Sequence, residues 1–222
     1  GKHVIFYRNT FGKCEVYFKK INSEKIIPIA EGFDADYELN IVGEKIIIKT
    51  DLDAPNGKVF VTDIDKPNRE DWQELIPESK DKLDSVSAIA GNLYLEYLYK
   101  AHSKIKIYSL EGEFIRNLEL PDIGSAGIYG YFSKESIWVM FSSFLFPFTT
   151  YKYDFDKDEL SLFFKPLIDI EINDFDINQV EYKSKDGTTV TMFLLGRKDA
   201  KKDGKNPEIG RAHVWTPVTT HN

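Results

Sequence analysis

Lys45-Ile46-Ile47-Ile48-Lys49 and Asn92-Leu93-Tyr94-Leu95-Glu96 decide the fold, with His3-Val4-Ile5-Phe6-Tyr7 before them and Ser136-Ile137-Trp138-Val139-Met140 after. Each is short, rich in β-branched or aromatic residues and patterned at period two, which marks a strand and not a helix. Counted from Gly1, Gly43, Gly91 and Ser136, the runs recur about every 42 to 48 residues. Further strands are expected between them at Glu15–Phe18, Val59–Asp63, Lys104–Tyr108 and Thr149–Asp154. Units close on Trp72–Ile76, Phe114–Leu118 and Leu160–Phe164, and no convincing helical stripe interrupts them. A repeat near 40–50 residues, with about four strands in each, is the signature of propeller blades. An antiparallel sandwich also strings short strands together, but has no reason to repeat at blade length.

Local turns agree with this reading. Leu110-Glu111-Gly112-Glu113 is a hairpin turn, and Asp156-Lys157-Asp158-Glu159 joins the outer two strands of the last blade. After Pro166 the pattern changes. Gln179–Tyr182 and Val190–Leu195 flank Lys185-Asp186-Gly187-Thr188, two strands around an Asp-Gly turn unlike the preceding blades. A domain boundary is therefore expected between Ile168 and Asp176.

Composition excludes several classes. Among 222 residues, 42% are hydrophobic and 29% charged, which suits a folded globular chain and not a disordered one. With 36 acidic against 29 basic residues the net charge is −7, so no nucleic-acid partner is expected. The basic run Lys198 to Lys205 contains Asp199, Asp203 and Gly204 and reads as a solvated turn. Cys14 is the single cysteine, so no internal disulfide can form; a reducing, cytoplasmic setting is the expectation. Its strand-like surroundings predict a small buried hydrophobe, not a reactive thiol. No apolar run reaches the ~18 residues of a membrane helix, and no membrane partner is expected. Gly1-Lys2-His3-Val4 is neither a signal peptide nor a Met start, so the chain reads as beginning inside a gene product.

Three segments resemble one family. Asp53-Ala54-Pro55-Asn56 is followed by Lys58-Val59, Asp65, Pro67, Trp72 and Pro77-Glu78. Ser143-Phe144-Leu145 is followed by Pro147, Tyr151 and Asp154. Tyr182 precedes Ser184-Lys185-Asp186-Gly187-Thr188, Met192-Phe193 and Asp203-Gly204. In their order and spacing these resemble the prolyl oligopeptidases, with Thr191 a departure from the proline common there. The resemblance implies a mainly β fragment: residues 1–168 as the last blades of a seven-bladed β-propeller, and 176–207 as the first β-hairpin of an α/β-hydrolase domain. It implies a serine-type parent enzyme that cleaves short proline-containing peptides, the propeller excluding larger substrates. By the same resemblance, Arg8 in Tyr7-Arg8-Asn9 reaches the substrate cavity between the domains. An arginine there can hold a peptide carboxylate or carbonyl through its fork of donors.

The catalytic machinery itself is not expected in this chain. A serine hydrolase places its nucleophile on a Gly-x-Ser-x-Gly elbow, with Asp and His following. Gly124-Ser125-Ala126-Gly127 comes nearest, one residue too tight. His3 and His102 lie in or beside strands with no matching serine and carboxylate. Asp154, Asp156 and Asp158 mimic a calcium loop, but Glu159 replaces its glycine and Lys165 its last glutamate, so a turn is expected and no metal. No cofactor is implied. Tyr94, Tyr97, Tyr99, Trp138 and Phe141 are read mostly as core between blades, not as a sugar- or peptide-stacking platform. From Glu208 the chain resembles the conceptual translation of a sequencing adapter, so 208–222, with His213, Trp215 and His221, is expected to carry no evolved role. The alternative is a non-catalytic propeller serving as a protein-interaction module, for which the hairpin around Asp186-Gly187 would have no use.

Overall fold

A computed structural model describes residues 2–131, 136–168, 172–201 and 203–210. The first sheet holds β1 (His3–Thr10), β2 (Lys13–Lys20) and β3 (Ile26–Ala30). The second holds β4 (Tyr37–Val42), β5 (Lys45–Thr50), β6 (Lys58–Asp63) and β7 (Gln73–Ile76). The third comprises β8 (Lys82–Ile89), β9 (Asn92–Tyr99), β10 (His102–Tyr108) and β11 (Phe114–Leu118). The fourth comprises β12 (Ser125–Gly130), β13 (Ile137–Ser142), β14 (Thr149–Asp154) and β15 (Glu159–Phe164). A separate hairpin, β16 (Phe175–Lys183) with β17 (Thr189–Arg197), completes the fold. All pairings are antiparallel between neighbours in sequence. The helical content of the described residues is two short 3-10 turns, Arg69–Asp71 and Ile172–Asp174.

The leading runs of the sequence are β1, β5, β9 and β13, each the partner of a hairpin with the strand that follows it. In the second to fourth sheets one more strand precedes them. These strands, β4, β8 and β12, lie at one edge of their sheets and carry no continuous apolar run. Tyr37–Val42 interleaves Glu38 and Asn40 with its apolar residues, and four of the six residues of Ser125–Gly130 are glycine, serine or alanine, with glycine and alanine of low strand propensity.

Stacking of the sheets explains why the leading runs are continuously apolar. Ile46 and Ile48 of β5 pack toward Val16 and Phe18 of the first sheet. Ile47, between them, packs toward Leu83, Val86 and Leu95 of the third. Likewise Leu93 and Leu95 of β9 face the second sheet, and Tyr94 faces Ile128 and Val139 of the fourth. A strand with both faces in a core needs no polar alternation. Burying each such side chain is worth about 1.5–3 kcal/mol. Tyr94, Tyr97 and Phe141 are fully buried as expected of core aromatics, whereas Tyr99 and Trp138 stay partly exposed.

The expected turns are present. Gly112 sits at φ 84 between β10 and β11, and a Cβ there would lie 2.6 Å from the Leu75 carbonyl oxygen, so backbone of the neighbouring sheet approaches too closely for any side chain. In the β14–β15 turn Asp154 Oδ1 accepts the Lys157 N–H at 3.1 Å, and Asp158 accepts the Tyr153 hydroxyl at 2.6 Å. Those hydrogen bonds make Asp154 and Asp158 part of the turn. Gly187 closes β16–β17 at φ 85, with Ser184 and Thr188 hydrogen-bonded across it. The described part of the basic run, 198–201 and 203–205, is exposed. Residues 211–222, and with them His213, Trp215 and His221, lie outside the described residues.

Polar side chains stitch one sheet to the next. The edge strand of each following sheet has N–H groups with no strand beside them, a costly state if left unmet. Leu39 N–H of β4 donates to the Tyr7 hydroxyl at 3.0 Å. Val86 and Ala88 of β8 donate to Glu38 Oε2 at 3.3 Å and Asn40 Oδ1 at 3.4 Å. Ile128 of β12 donates to Glu96 Oε1 at 2.8 Å. The second residue of β2 and of β10 plays the same part: Cys14 Sγ accepts the Tyr37 N–H at 3.2 Å, and Ser103 Oγ accepts the Ala126 N–H at 3.0 Å.

Candidate functional site

Arg8 stands near the end of β1, where the chain turns through Phe11 and Gly12 into β2. The turn needs φ 73 at Gly12, which glycine supplies without strain. Arg8 Nη1 lies 3.2 Å from Glu15 Oε2, and its guanidinium lies 5.0 Å from the centre of the Phe33 ring. Its side chain keeps 70% of its surface exposed, whereas that of Glu15 keeps 9%. Glu15 also accepts the Gly32 N–H at 3.0 Å and the Tyr17 hydroxyl at 3.0 Å. The Gly32 amide, helped by Tyr17 and Arg8, holds the Glu15 carboxyl below its usual range. Glu15 is thus a fixed anchor and Arg8 an aimed one, with most of its donor fork still turned to solvent.

The same end of the sheets carries the other second-to-third strand connections: Asp51–Gly57 after β5, Lys100-Ala101 after β9 and Ser143–Phe148 after β13. A cavity of about 430 Å³ opens there, bordered by Asn9, Thr10, Asp36, Lys49, Asp51 and Lys82. Lys49 is the most enclosed of its cations, its side chain 13% exposed and its ammonium 3.7 Å from Asp36. Three lysines, Lys13, Lys49 and Lys82, and three aspartates, Asp36, Asp51 and Asp84, line the cavity, so the surface is polar without a dominant sign.

The hairpin β16–β17 docks at this end also. Gln179 Nε2 donates to the Lys100 carbonyl oxygen, Lys100 Nζ lies 2.7 Å from Glu181 Oε1, and the Phe144 and Phe193 rings lie 5.5 Å apart. The turn it grips is unusual: Lys100 at φ 45 and Ala101 at φ 64 are consecutive non-glycine residues in the left-handed region. A two-residue hairpin turn of this kind prefers Asn-Gly, and each L-residue with a full side chain costs about 1–2 kcal/mol there.

No catalytic constellation forms among the described residues. His3 packs on the Phe18 ring at 5.2 Å. His102 packs on Tyr99 at 5.3 Å, and its Nδ1 lies 3.4 Å from Gln179 Nε2. Burial, with Lys104 and Lys100 nearby, pushes the His102 imidazolium below its ordinary range. Ser125 is in strand β12 and not on an elbow, and a Cβ at Gly124 would meet the Ser142 carbonyl oxygen at 2.4 Å. Among the described residues no group of three or more His, Cys, Asp or Glu could hold a metal ion, and no helix is long and apolar enough to cross a membrane. The docking contacts of Gln179 and the edge-capping roles of Glu38 and Glu96 went unread in the sequence, where a lone amide or carboxylate in a strand carries no signal.

Comparison with known proteins accounts for this arrangement. The family described as "Prolyl oligopeptidase, N-terminal beta-propeller domain" matches residues 3–166. A prolyl endopeptidase of Elizabethkingia miricola is 32% identical over 209 residues, covering 93% of this chain and 30% of the relative. A dual function macrocyclase-peptidase of Amanita bisporigera is 34% identical over 215 residues, covering 93% of this chain and 28% of the relative. Among solved structures, a prolyl endopeptidase from a study of inter-domain dynamics superposes with a TM-score of 0.83 at 33% identity, covering 92% of this chain and 31% of that one. Prolyl oligopeptidase B from Galerina marginata gives 0.79 at 27%, covering 90% and 30%. The chain therefore spans about a third of the length of these relatives. With stacked four-stranded antiparallel sheets and a family match over most of its length, the chain belongs to the prolyl oligopeptidase family, through its N-terminal β-propeller domain.

Proposed function

We propose that these residues are the last blades of the substrate-gating propeller of a serine-type oligopeptidase that cleaves short peptides after proline. On this reading residues 176–207 open the α/β-hydrolase domain, which supplies the nucleophile, acid and histidine from chain beyond those described. The observation that carries it is the shared end of the sheets: the hairpin docks on the Lys100 and Phe144 connections, and Arg8 sits at the corresponding turn of the first sheet with its donors exposed. Names of the relatives, prolyl endopeptidase among them, support the substrate class. The share of the mechanism assigned here is binding and exclusion, with Arg8 held by Glu15 to meet a peptide carbonyl or carboxylate.

A chimera tests this reading. Residues 1–207 replace the corresponding segment of a prolyl endopeptidase, and hydrolysis of a short fluorogenic proline peptide is followed. The chain by itself should show no hydrolysis, and the chimera should restore it. Arg8→Ala in the chimera should raise KM roughly 10- to 150-fold, the span of one lost charge-assisted bond, with kcat little changed. A folded chimera in which Arg8→Ala leaves KM untouched removes Arg8 from the substrate site. A folded chimera without activity removes the peptidase reading and favours an interaction module.

A further inference from the structure

The contact between the hairpin and the third sheet combines a strained turn, an ion pair, a side-chain amide and an imidazole at one point. Lys100 and Ala101 hold positive φ without glycine. The carbonyl of the first is satisfied by Gln179, and its ammonium by Glu181 of the same strand β16. Gln179 Nε2 also faces His102 Nδ1 at 3.4 Å. An amide nitrogen is donor-only, so it can face this imidazole nitrogen favourably only while that nitrogen carries no proton. Once protonated, Nδ1 becomes a second donor aimed at the first.

We propose that Lys100, His102, Gln179 and Glu181 form a pH-sensitive latch, which holds β16–β17 on the propeller while His102 is neutral and loosens when His102 is protonated. The latch needs only the hairpin seen in the structure and stands whichever domain that hairpin opens.

The charges around the imidazole set the sign. Lys104 follows on the same strand, with its ammonium 3.3 Å from the centre of the Tyr99 ring, and Lys100 stands at the turn. Both disfavour the imidazolium whether the hairpin is docked or free, and Asp81, Glu119 and Asp122, which border the same groove, are likewise present in both states. The Lys100 carbonyl oxygen can accept from the imidazolium and so favours it, but this is the oxygen that Gln179 occupies on docking. From β16 the charged group is the Glu181 carboxylate, already paired with Lys100, and Gln179 brings a donor. Docking therefore adds the amide and excludes water, both of which oppose protonation. The free state binds the proton more readily, so docking strengthens as pH rises. It is complete above the ordinary histidine range near 6.5 and fades as pH falls through and below that range.

Gln179 reports on its own contact. The chain contains two glutamines, Gln73 and Gln179, so labelling glutamine side-chain amides with ¹⁵N yields two NMR signals, with Gln73 as internal control. Between pH 8 and pH 5 the Gln179 signal should move to the free-amide position. Its exchange with solvent, normalised to Gln73, should accelerate about tenfold, the effect of one pH unit of linked protonation. In His102→Phe, which keeps the ring packing on Tyr99, the Gln179 signal should stay at its docked position down to pH 5. Glu181→Gln, a milder change, should accelerate normalised exchange at both pH values while keeping the midpoint. The latch is overturned if Gln179 tracks Gln73 throughout, or if His102→Phe shows the same transition. It is equally overturned if both glutamine signals collapse together at pH 5, because the event is then unfolding of the sheets.

Discussion

At the scale of single residues, Cys14 shows how a buried group can be mistaken for filler. It is 2% exposed, and its strand-like surroundings suggest a small hydrophobe. Its sulfur nevertheless straddles the backbone of Tyr37, accepting the N–H at 3.2 Å and lying 3.4 Å from the carbonyl oxygen. Ser103 occupies the equivalent place two sheets on and straddles Ala126 in the same way, at 3.0 and 3.4 Å. The role is therefore polar. Cys14→Val should leave the Tyr37 N–H unmet and cost about 1–3 kcal/mol, whereas Cys14→Ser, which copies Ser103, should cost less. Urea unfolding midpoints decide it; equal losses for both variants would show that volume alone matters at this site. Arg8 teaches the complementary lesson, since the sequence named it but only the Glu15 pairing shows how it is aimed.

At the scale of elements, the strands that search by apolar pattern misses are the ones that need side chains from elsewhere. β8 and β12 present unpaired N–H groups at their edges, and Glu38, Asn40 and Glu96 fill them. These carboxylates work at a cost. Burial pushes the Glu38 and Glu96 carboxyls above their ordinary range, with Lys49 partly offsetting it at Glu38 and the Ile128 amide at Glu96. A carboxyl whose folded pKa is raised favours the fold below its unfolded pKa, and that contribution is lost as pH rises through the folded value. Glu96→Gln keeps an acceptor for Ile128 and removes the charge. It should raise the melting temperature by a few degrees at pH 7.5 and leave it unchanged at pH 4. A lower melting temperature at pH 7.5 would mean that the charge itself strengthens the seam. Turn signals were legible because they are local: Gly112, Asp156–Asp158 and Asp186-Gly187 each close a hairpin between adjacent strands.

At the scale of the whole molecule, the two end sheets lack a neighbour on one side. Val4 and Phe6 of β1 are 38% and 43% exposed, and Leu162, Phe163 and Phe164 of β15 are 54–68% exposed. β1 also ends its sheet with an open hydrogen-bonding edge, a template for pairing with another chain. The chain on its own should therefore self-associate with rising concentration, and Phe6→Lys should increase the monomer fraction in sedimentation velocity. A monodisperse monomer before substitution would refute this. The amino-acid sequence by itself determined the strand class, the repeat and the turns. Continuous apolar runs such as Ile46-Ile47-Ile48, spaced at blade length, can bury both faces only in a stack of sheets. Tertiary structure alone decided where β4, β8 and β12 run, which carboxylates cap their edges, how Glu15 aims Arg8 and where Gln179 grips the turn. The physical reason is range. Runs and turns are written in neighbouring residues, whereas a cap such as Glu38 on Val86 or Gln179 on Lys100 joins residues 48 or 79 positions apart. Such pairs acquire a meaning only after the sheets have packed.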